Sequence, residues 1–256
     1  MNTTDNTSSD TSSVRSTASQ EEIDRFAAMA DEWWDDTGKF KPLHKLNPAR
    51  ITFIRDNLTS HFDRDIMSEK PLEGINLLDV GCGGGLISEP LCRLGATVTA
   101  IDAGEEAVAV ASVHAGRDGL DIKFRNVLPE TLAREGLQFD AVVSLEVVEH
   151  VADIEAFLAA LASLVKPGGA LVLATLNRTI KSLALAKIGA EYILRWVPPG
   201  THDWKKFVKP SELTNGLRPH GVNLRTVRGV GFNPIKDEWF LCDNMDVNYL
   251  AYFTKD

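Results

Sequence analysis

Three residues of the segment LEVVEHV, Glu146, Glu149 and His150, stand at spacings i, i+3 and i+4. On a helical turn all three would share one face. Two carboxylates beside an imidazole can do one of two kinds of chemistry. The imidazole can take a proton as general base, with Glu149 or Glu146 orienting the ring or raising its basicity. Alternatively the three groups can hold a divalent cation such as Mg²⁺, which would stabilise an oxyanion directly. The residue types leave both open. They also leave a bland role, in which two acids favour the positive end of a helix and His150 is simply half buried.

A second constellation lies upstream. The run LLDVGCGGG at Leu77–Gly85 is an apolar strand pattern that ends in glycines at 81, 83, 84 and 85. Glycine permits a sharp strand-to-helix turn and lets backbone approach a ligand closely. Asp102 follows Gly81 by 21 residues, at the end of a second apolar run, TVTAID. A doubly wound sheet places a carboxylate there against ribose hydroxyls, so the pair predicts a nucleoside site. Backbone N–H groups near Gly81 and Gly83, at a helix N-terminus, would face an anionic group of that ligand. The dinucleotide fingerprint G-x-G-x-x-G fits poorly, because its sixth position is Leu86 counted from Gly81 and Ser88 counted from Gly83. The competing role for Asp102 is to cap the helix that begins after Gly104.

These residues need a scaffold, and the chain predicts one. Ser19 and Glu22 form a capping box before an amphipathic helix over about 20–34, and Asn47 and Pro48 are suited to begin a second helix that carries Arg50. From residue 76 strand and helix patterns alternate: strands at 76–80, 97–102, 121–125, 139–144 and 170–176, and helices at 85–94, 104–116 and 153–165. Alternation of this kind means a mostly parallel sheet with helices on both faces. Weaker strand patterns at 224–230 and 247–253 suggest an antiparallel C-terminal hairpin closing one edge. The expected organisation is a disordered Ser/Thr-rich tail over 1–18 and one α/β domain over 19–256. Within it, 19–62 supply N-terminal helices, 76–177 the nucleoside core, 178–210 an insertion and 211–256 the last strands.

Composition narrows the partners. A formal charge of −9 argues against nucleic acid as the main partner, because neutralising phosphates needs a basic face. Cys82, Cys92 and Cys242 form no metal or disulfide spacing, and no apolar run suits a membrane span or signal peptide, so a cytoplasmic chain is expected. The insertion is different in character. Between Arg178 and Lys209 seven basic residues face two acids, interleaved with Ile180, Leu183, Leu185, Ile188, Ile193, Leu194 and Trp196. Apolar surface ringed by positive charge suits the surface of an anionic bilayer, and equally a lid over the protein's own site.

The spacing of Asp79, Gly81, Gly83 and Gly85 resembles the first motif of class I S-adenosylmethionine-dependent methyltransferases, E/D-x-G-x-G-x-G. Longer strings are narrower: FKPLHKLNPAR at 40–50, GATVTAID, KPGGALVLATLNRT, GAEYIL at 189–194, GTHDWKKFVKPSEL at 200–213 and VNYLAYF. Together they resemble the ubiquinone-biosynthesis O-methyltransferases over nearly all of the chain from about residue 20. That resemblance implies a Rossmann-like sheet and S-adenosylmethionine as methyl donor, bound through Arg50, Gly81, Asp102 and Leu145. It implies two O-methylations of polyprenylated catechols, and contact with the inner face of a membrane and with other enzymes of quinone synthesis. A phenol with a pKa near 10 is mostly protonated at neutral pH, so something must take that proton. His150 is the natural base, with Glu149 beside it; some relatives suggest Mg²⁺ instead. The alternatives are a class I methyltransferase acting on a soluble phenol or a nitrogen, and a donor-binding scaffold without catalysis.

Overall fold

A computed structural model of the chain describes residues 33–38, 40–183 and 204–256. The expected tail, most of the helix expected over 20–34 and the middle of the insertion lie outside the described residues. Trp33 and Trp34, placed at the end of that helix by the sequence, stand in a turn.

Eight strands form one sheet in the order β3-β2-β1-β4-β5-β8-β6-β7. β1 (Asn76–Val80), β2 (Thr97–Asp102), β3 (Ile122–Asn126), β4 (Phe139–Leu145) and β5 (Val165–Leu176) pair in parallel. β6 (Val222–Asn233), β7 (Glu238–Cys242) and β8 (Asn248–Lys255) complete the sheet with antiparallel pairings. The central strands are apolar at successive positions because helices cover both of their faces. Leu77, Ala141, Val143, Val172 and Leu250 point to one face. Leu78, Val142, Leu171, Leu173 and Ala251 point to the other.

The first face is covered by α1 (Lys41–His61), whose buried Leu46, Ala49, Phe53, Ile54 and Leu58 recur at helical spacing. The sequence places the start of this helix at Asn47 and Pro48; the structure starts it at Lys41, with Pro42 in the first turn and Pro48 inside. An interior proline costs about 3 kcal/mol, and burial of five apolar side chains at roughly 1.5–3 kcal/mol each outweighs it. Asn47 is therefore not a cap. It is buried, and its amide donates to the Leu86 carbonyl (3.4 Å) in the turn after β1.

The alternating strand–helix region also carries α2 (Ser88–Arg93), α3 (Glu105–Arg117), the short α4 (Pro129–Arg134) and α5 (Ile154–Leu164). The Asp153 carboxylate caps α5 by accepting from the Ala156 N–H at 3.0 Å. α6 (Pro210–Leu217) buries Leu213 and Leu217 beside α5. At the C-terminus the two expected strands do pair, as β6 and β8, but β8 inserts between β5 and β6 and the sheet edge is β7. No helix among the described residues is long and apolar enough to cross a membrane.

β1 is hydrogen-bonded to β2 on one side and β4 on the other, so the strand order reverses between β1 and β4. Ligands of open α/β sheets bind at the carboxyl ends of strands beside such a reversal. The glycine turn, Asp102 and the segment from Leu145 to His150 all emerge there.

Candidate active site

The turn after β1 is held by backbone. Gly81 and Cys82 donate their N–H groups to the Ile101 carbonyl at 2.8 and 3.0 Å, tying the turn to the end of β2. Gly81 and Gly83 take φ of +77° and +51°, where a side chain is strained. The space beside them is also filled. A Cβ on Gly81 would come within 2.3 Å of Val147, and one on Gly83 within 2.5 Å of the Trp33 ring.

Asp102 closes this half of the site. Its Oδ2 accepts from the Gly83 N–H and its Oδ1 from the Gly104 N–H, both at 2.8 Å. Asp102 is not the cap of the following helix, whose N-cap is Gly104 with no side-chain cap bond. Its carboxylate instead ties Gly83 to Gly104, and with about four acceptor positions on an ionised carboxylate it keeps others for a ligand. Burial raises its pKa while the amide bonds oppose that rise. Asp79, which opens the glycine motif, lies deeper. It is buried, accepts from Ser88 Oγ at 2.6 Å and has its pKa pushed up to about 7, by burial first and Asp102 second.

The second half of the site is built from side chains. Arg50 is buried on α1; one of its amino groups reaches Asn47 Oδ1 at 3.3 Å and the other forms an ion pair with Glu146 Oε1 at 2.5 Å. The helical arginine that composition alone would leave on the surface therefore bridges α1 and the loop after β4. Leu145 ends β4, half-buried against the core.

The structure corrects the shared helical face expected for Glu146, Glu149 and His150. Glu146 has φ +56°, outside any helix, and its N–H donates to the Ala174 carbonyl at 2.9 Å. Only Val148–His150 form a short 3₁₀ turn. Parallel pairing of β4 with β5 continues past Leu145 to capture the Glu146 amide, and this overrides the helical spacing. Glu149 points inward, almost fully buried, and its Oε2 accepts from Thr175 Oγ1 at 2.8 Å. Burial, and then the neighbouring Glu146 carboxylate, hold its carboxyl well above the usual range. His150 is half-buried, its N–H bonded to the Val147 carbonyl at 2.8 Å.

This arrangement does not fit the metal reading. Glu146 is committed to Arg50 and Glu149 to Thr175. Among the described residues the group that brings three ligand atoms within 4.8 Å of one another is elsewhere: Glu89, buried on α2, with the half-buried His114 of α3 and the exposed Asp118 just after it.

Sequence reasoning missed four contributors. Thr175, at the end of β5, is fully buried behind Glu149. Tyr249 lies opposite it on β8, donates to the Val208 carbonyl at 2.9 Å, and is held protonated by burial and by Glu149. Trp33 and Trp34 cover the glycine turn: the Trp34 indole N–H donates to the Gly84 carbonyl at 2.8 Å. A tandem tryptophan just before FKPLH was the available signal.

Sheet order and site together define a class I S-adenosylmethionine-dependent methyltransferase. A family model described as a methyltransferase domain matches residues 78–173. The fold is similar to magnesium protoporphyrin IX methyltransferase of Synechocystis with bound SAH, with a TM-score of 0.62 and 20% identity over 91% of this chain and 98% of that one. It is also similar to a possible histamine N-methyltransferase of Thermotoga maritima, with a TM-score of 0.59 and 14% identity over 93% of this chain and 100% of that one.

Sequence relatives are nearer. The chain is 54% identical to the ubiquinone biosynthesis O-methyltransferase of Paramagnetospirillum magneticum, over 93% of this chain and 96% of that one. It is 53% identical to that of Caulobacter vibrioides, over 92% and 94%. The chain belongs to the ubiquinone biosynthesis O-methyltransferase family.

Proposed function

We propose that this enzyme methylates a hydroxyl group of polyprenylated catechols, at two steps of ubiquinone synthesis, with S-adenosylmethionine as donor. The observation that carries this reading is the meeting, at the β1–β4 reversal, of a backbone-held glycine turn and Asp102 with the Arg50–Glu146 bridge and His150.

Asp102, already fixed by two amides, accepts from the ribose hydroxyls, and the amide groups of the turn around Gly81 and Gly83 face the donor's amino-acid end. Arg50 holds the donor carboxylate, exchanging part of its bond to Glu146 for it. Leu145 gives an apolar wall. Bound there, the donor supplies a sulfonium methyl group, which passes to the acceptor oxygen as the carbon–sulfur bond breaks toward sulfur. His150 takes the phenol proton as that oxygen attacks. Glu149, buried and accepting from Thr175, anchors the 3₁₀ turn and so fixes where His150 stands.

The stretch Arg178–Lys209, with five more basic than acidic residues, supports delivery of an isoprenoid-tailed acceptor from an anionic membrane surface. Two of its charges are internally paired, Arg178 with Glu212 and Lys181 with Asp246, while Ile180 is 84% exposed beside them. Salt-sensitive pelleting with anionic but not neutral vesicles tests that part.

The decisive experiment incubates the full chain with a polyprenyl catechol and S-adenosylmethionine, with and without a chelator, and reads product by mass spectrometry. Methylated product in both arms is expected. Loss of product under chelator, restored by Mg²⁺, would return Glu146, Glu149 and His150 to a metal. Donor binding with no product would favour a different acceptor or a non-catalytic role.

A further inference from the structure

Trp33 and Trp34 touch the glycine turn in ways that a passing surface segment does not. The Trp33 side chain lies directly on Gly83 and Gly84: a Cβ on Gly83 would come within 2.5 Å of its ring, and one on Gly84 within 2.5 Å of its Cβ. Its other face stacks on Phe40 with ring centroids 4.3 Å apart and planes 13° apart. The Trp33 carbonyl is bonded to His44 Nε2 at 2.9 Å. Three contacts thus fix this indole against the loop that binds the donor.

Trp34 holds the other side. Its indole N–H reaches the Gly84 carbonyl across 50 residues of sequence, at 2.8 Å. Its ring stacks on His114 at a centroid separation of 3.5 Å and an interplanar angle of 3°. His114 is anchored in turn, with Nδ1 2.6 Å from Oε1 of Glu89, a carboxylate buried on α2 in the helix that the glycine turn starts. Arg93 bridges Glu89 and Asp118, so both acids of this cluster already carry a cation and the group is built to grip Trp34 rather than a metal ion.

We propose that Trp33 and Trp34 form a strap that retains the methyl donor, with Trp33 as a side wall of the donor site and His114 and Glu89 as remote positioning residues that hold it shut. This rests on the donor-site reading above. Nothing fits between the Trp33 ring and Gly83, so a donor lying along Gly81 is bordered by that ring. It can leave quickly only when the ring lifts. Lifting breaks the Trp34–Gly84 bond and the His114 stack together, so these two contacts set the residence time of donor and demethylated product.

Each contact can be cut separately. Trp34→Phe keeps an aromatic ring and removes the bond to Gly84; His114→Gln keeps a hydrogen-bond donor toward Glu89 and removes the stack. Wild-type enzyme is first loaded with radiolabelled SAH, and its release is followed on chasing with unlabelled SAH. No binding by the wild type would defeat the donor-site reading itself. Where the wild type binds, both variants should release SAH about tenfold faster and show a raised donor KM. Their single-turnover rate at saturating donor should stay within twofold, with circular dichroism unchanged. Unchanged release rates in the folded variants would overturn the strap. Slower release, or tighter donor binding, would overturn it too, by making the tryptophans a plug. A fall in melting temperature with unaltered release would show a purely structural role and would equally refute the proposal.

Discussion

The two halves of the site are built by different means. In the proposed donor half every hydrogen-bond donor is a backbone N–H: Gly81 and Cys82 on the Ile101 carbonyl, and Gly83 and Gly104 on the Asp102 carboxylate. The proposed acceptor half rests on side chains, Glu149 with Thr175 and Tyr249 with the Val208 carbonyl, and is joined to the donor half by the Arg50–Glu146 pair. Main-chain bonds in a parallel sheet are set by register and survive changes of side chain. Side-chain bridges between distant elements depend on each partner and can be exchanged. A site that must hold one constant nucleoside and admit a separate acceptor is served by this division. The donor end is fixed once by the sheet, and the reacting end is left adjustable.

The largest effect should come from breaking the acceptor half alone. Positioned general bases contribute about 10²–10⁴-fold. His150→Ala should lower kcat by about that factor, because the phenol then reaches the methyl group protonated. The donor half does not involve His150, so the dissociation constant for SAH should stay within about twofold. Steady-state kinetics with calorimetric SAH titration checks both. A kcat close to that of the wild type would remove His150 from the base role.

A pH experiment probes the donor half. The pKa of Asp79 is raised from 3.8 to about 7, chiefly by burial. The folded state therefore holds this proton more tightly than the unfolded chain does. Its contribution to stability is complete below about pH 4 and is lost as pH rises through about 7. At 1.36 kcal/mol per pKa unit the loss is at most about 4 kcal/mol. Asp79→Asn keeps an acceptor for Ser88 and has no proton to lose. Denaturant melts from pH 4 to 8 should show the stability difference between variant and wild type moving in the variant's favour as pH rises, and parallel curves would contradict the assignment.

That contrast also explains what was legible in the sequence. Sheet class, the glycine turn and Asp102 follow from patterns within about 25 residues, where local spacing dictates backbone geometry. The start of α1 was misplaced because Pro48 reads as a helix opener, and only the tertiary burial of Leu46 and Ala49 shows why the helix runs through it. Glu146, Glu149 and His150 were rightly singled out by type. Their common face failed because β4–β5 pairing fixes Glu146 in a left-handed conformation. Thr175, Tyr249 and the partner of Arg50 lie 26 to 100 or so residues from what they touch, beyond any local pattern. β7 was missed because its apolar run, Trp239 to Cys242, is short and lacks the polar alternation that marks a half-buried strand.

The joint between the halves is Arg50. Removing one member of a buried ion pair leaves the other charge uncompensated, a cost of about 3–5 kcal/mol; here Glu146 retains 28% exposure and can recover water, which brings the expected loss nearer 2 kcal/mol. Arg50→Met should weaken SAH binding by roughly thirtyfold through the lost carboxylate contact, and lower stability because Glu146 is stranded. Arg50→Met combined with Glu146→Gln should recover the stability but not the affinity. If the double variant regains both, Arg50 serves the fold and not the donor.

The smallest change tests how tightly the donor half is made. Gly83→Ala adds one methyl group where φ is +51° and the Trp33 ring would stand 2.5 Å away. The left-handed conformation costs about 1 kcal/mol for a non-glycine residue, and displacing a packed ring adds about 1 kcal/mol more at the low end of overpacking. The Gly83 N–H is untouched by the substitution and still bonds Asp102, so the ribose end keeps its anchor. Stability should thus fall by about 2 kcal/mol in urea melts, with weaker SAH binding because Trp33 is pushed outward. Shortening Trp33 to Leu in the Gly83→Ala background should restore part of the stability and none of the affinity, since the methyl group then has room but the wall is gone. Full recovery of affinity would mean that the turn alone, without the indole beside it, is the whole of the donor half.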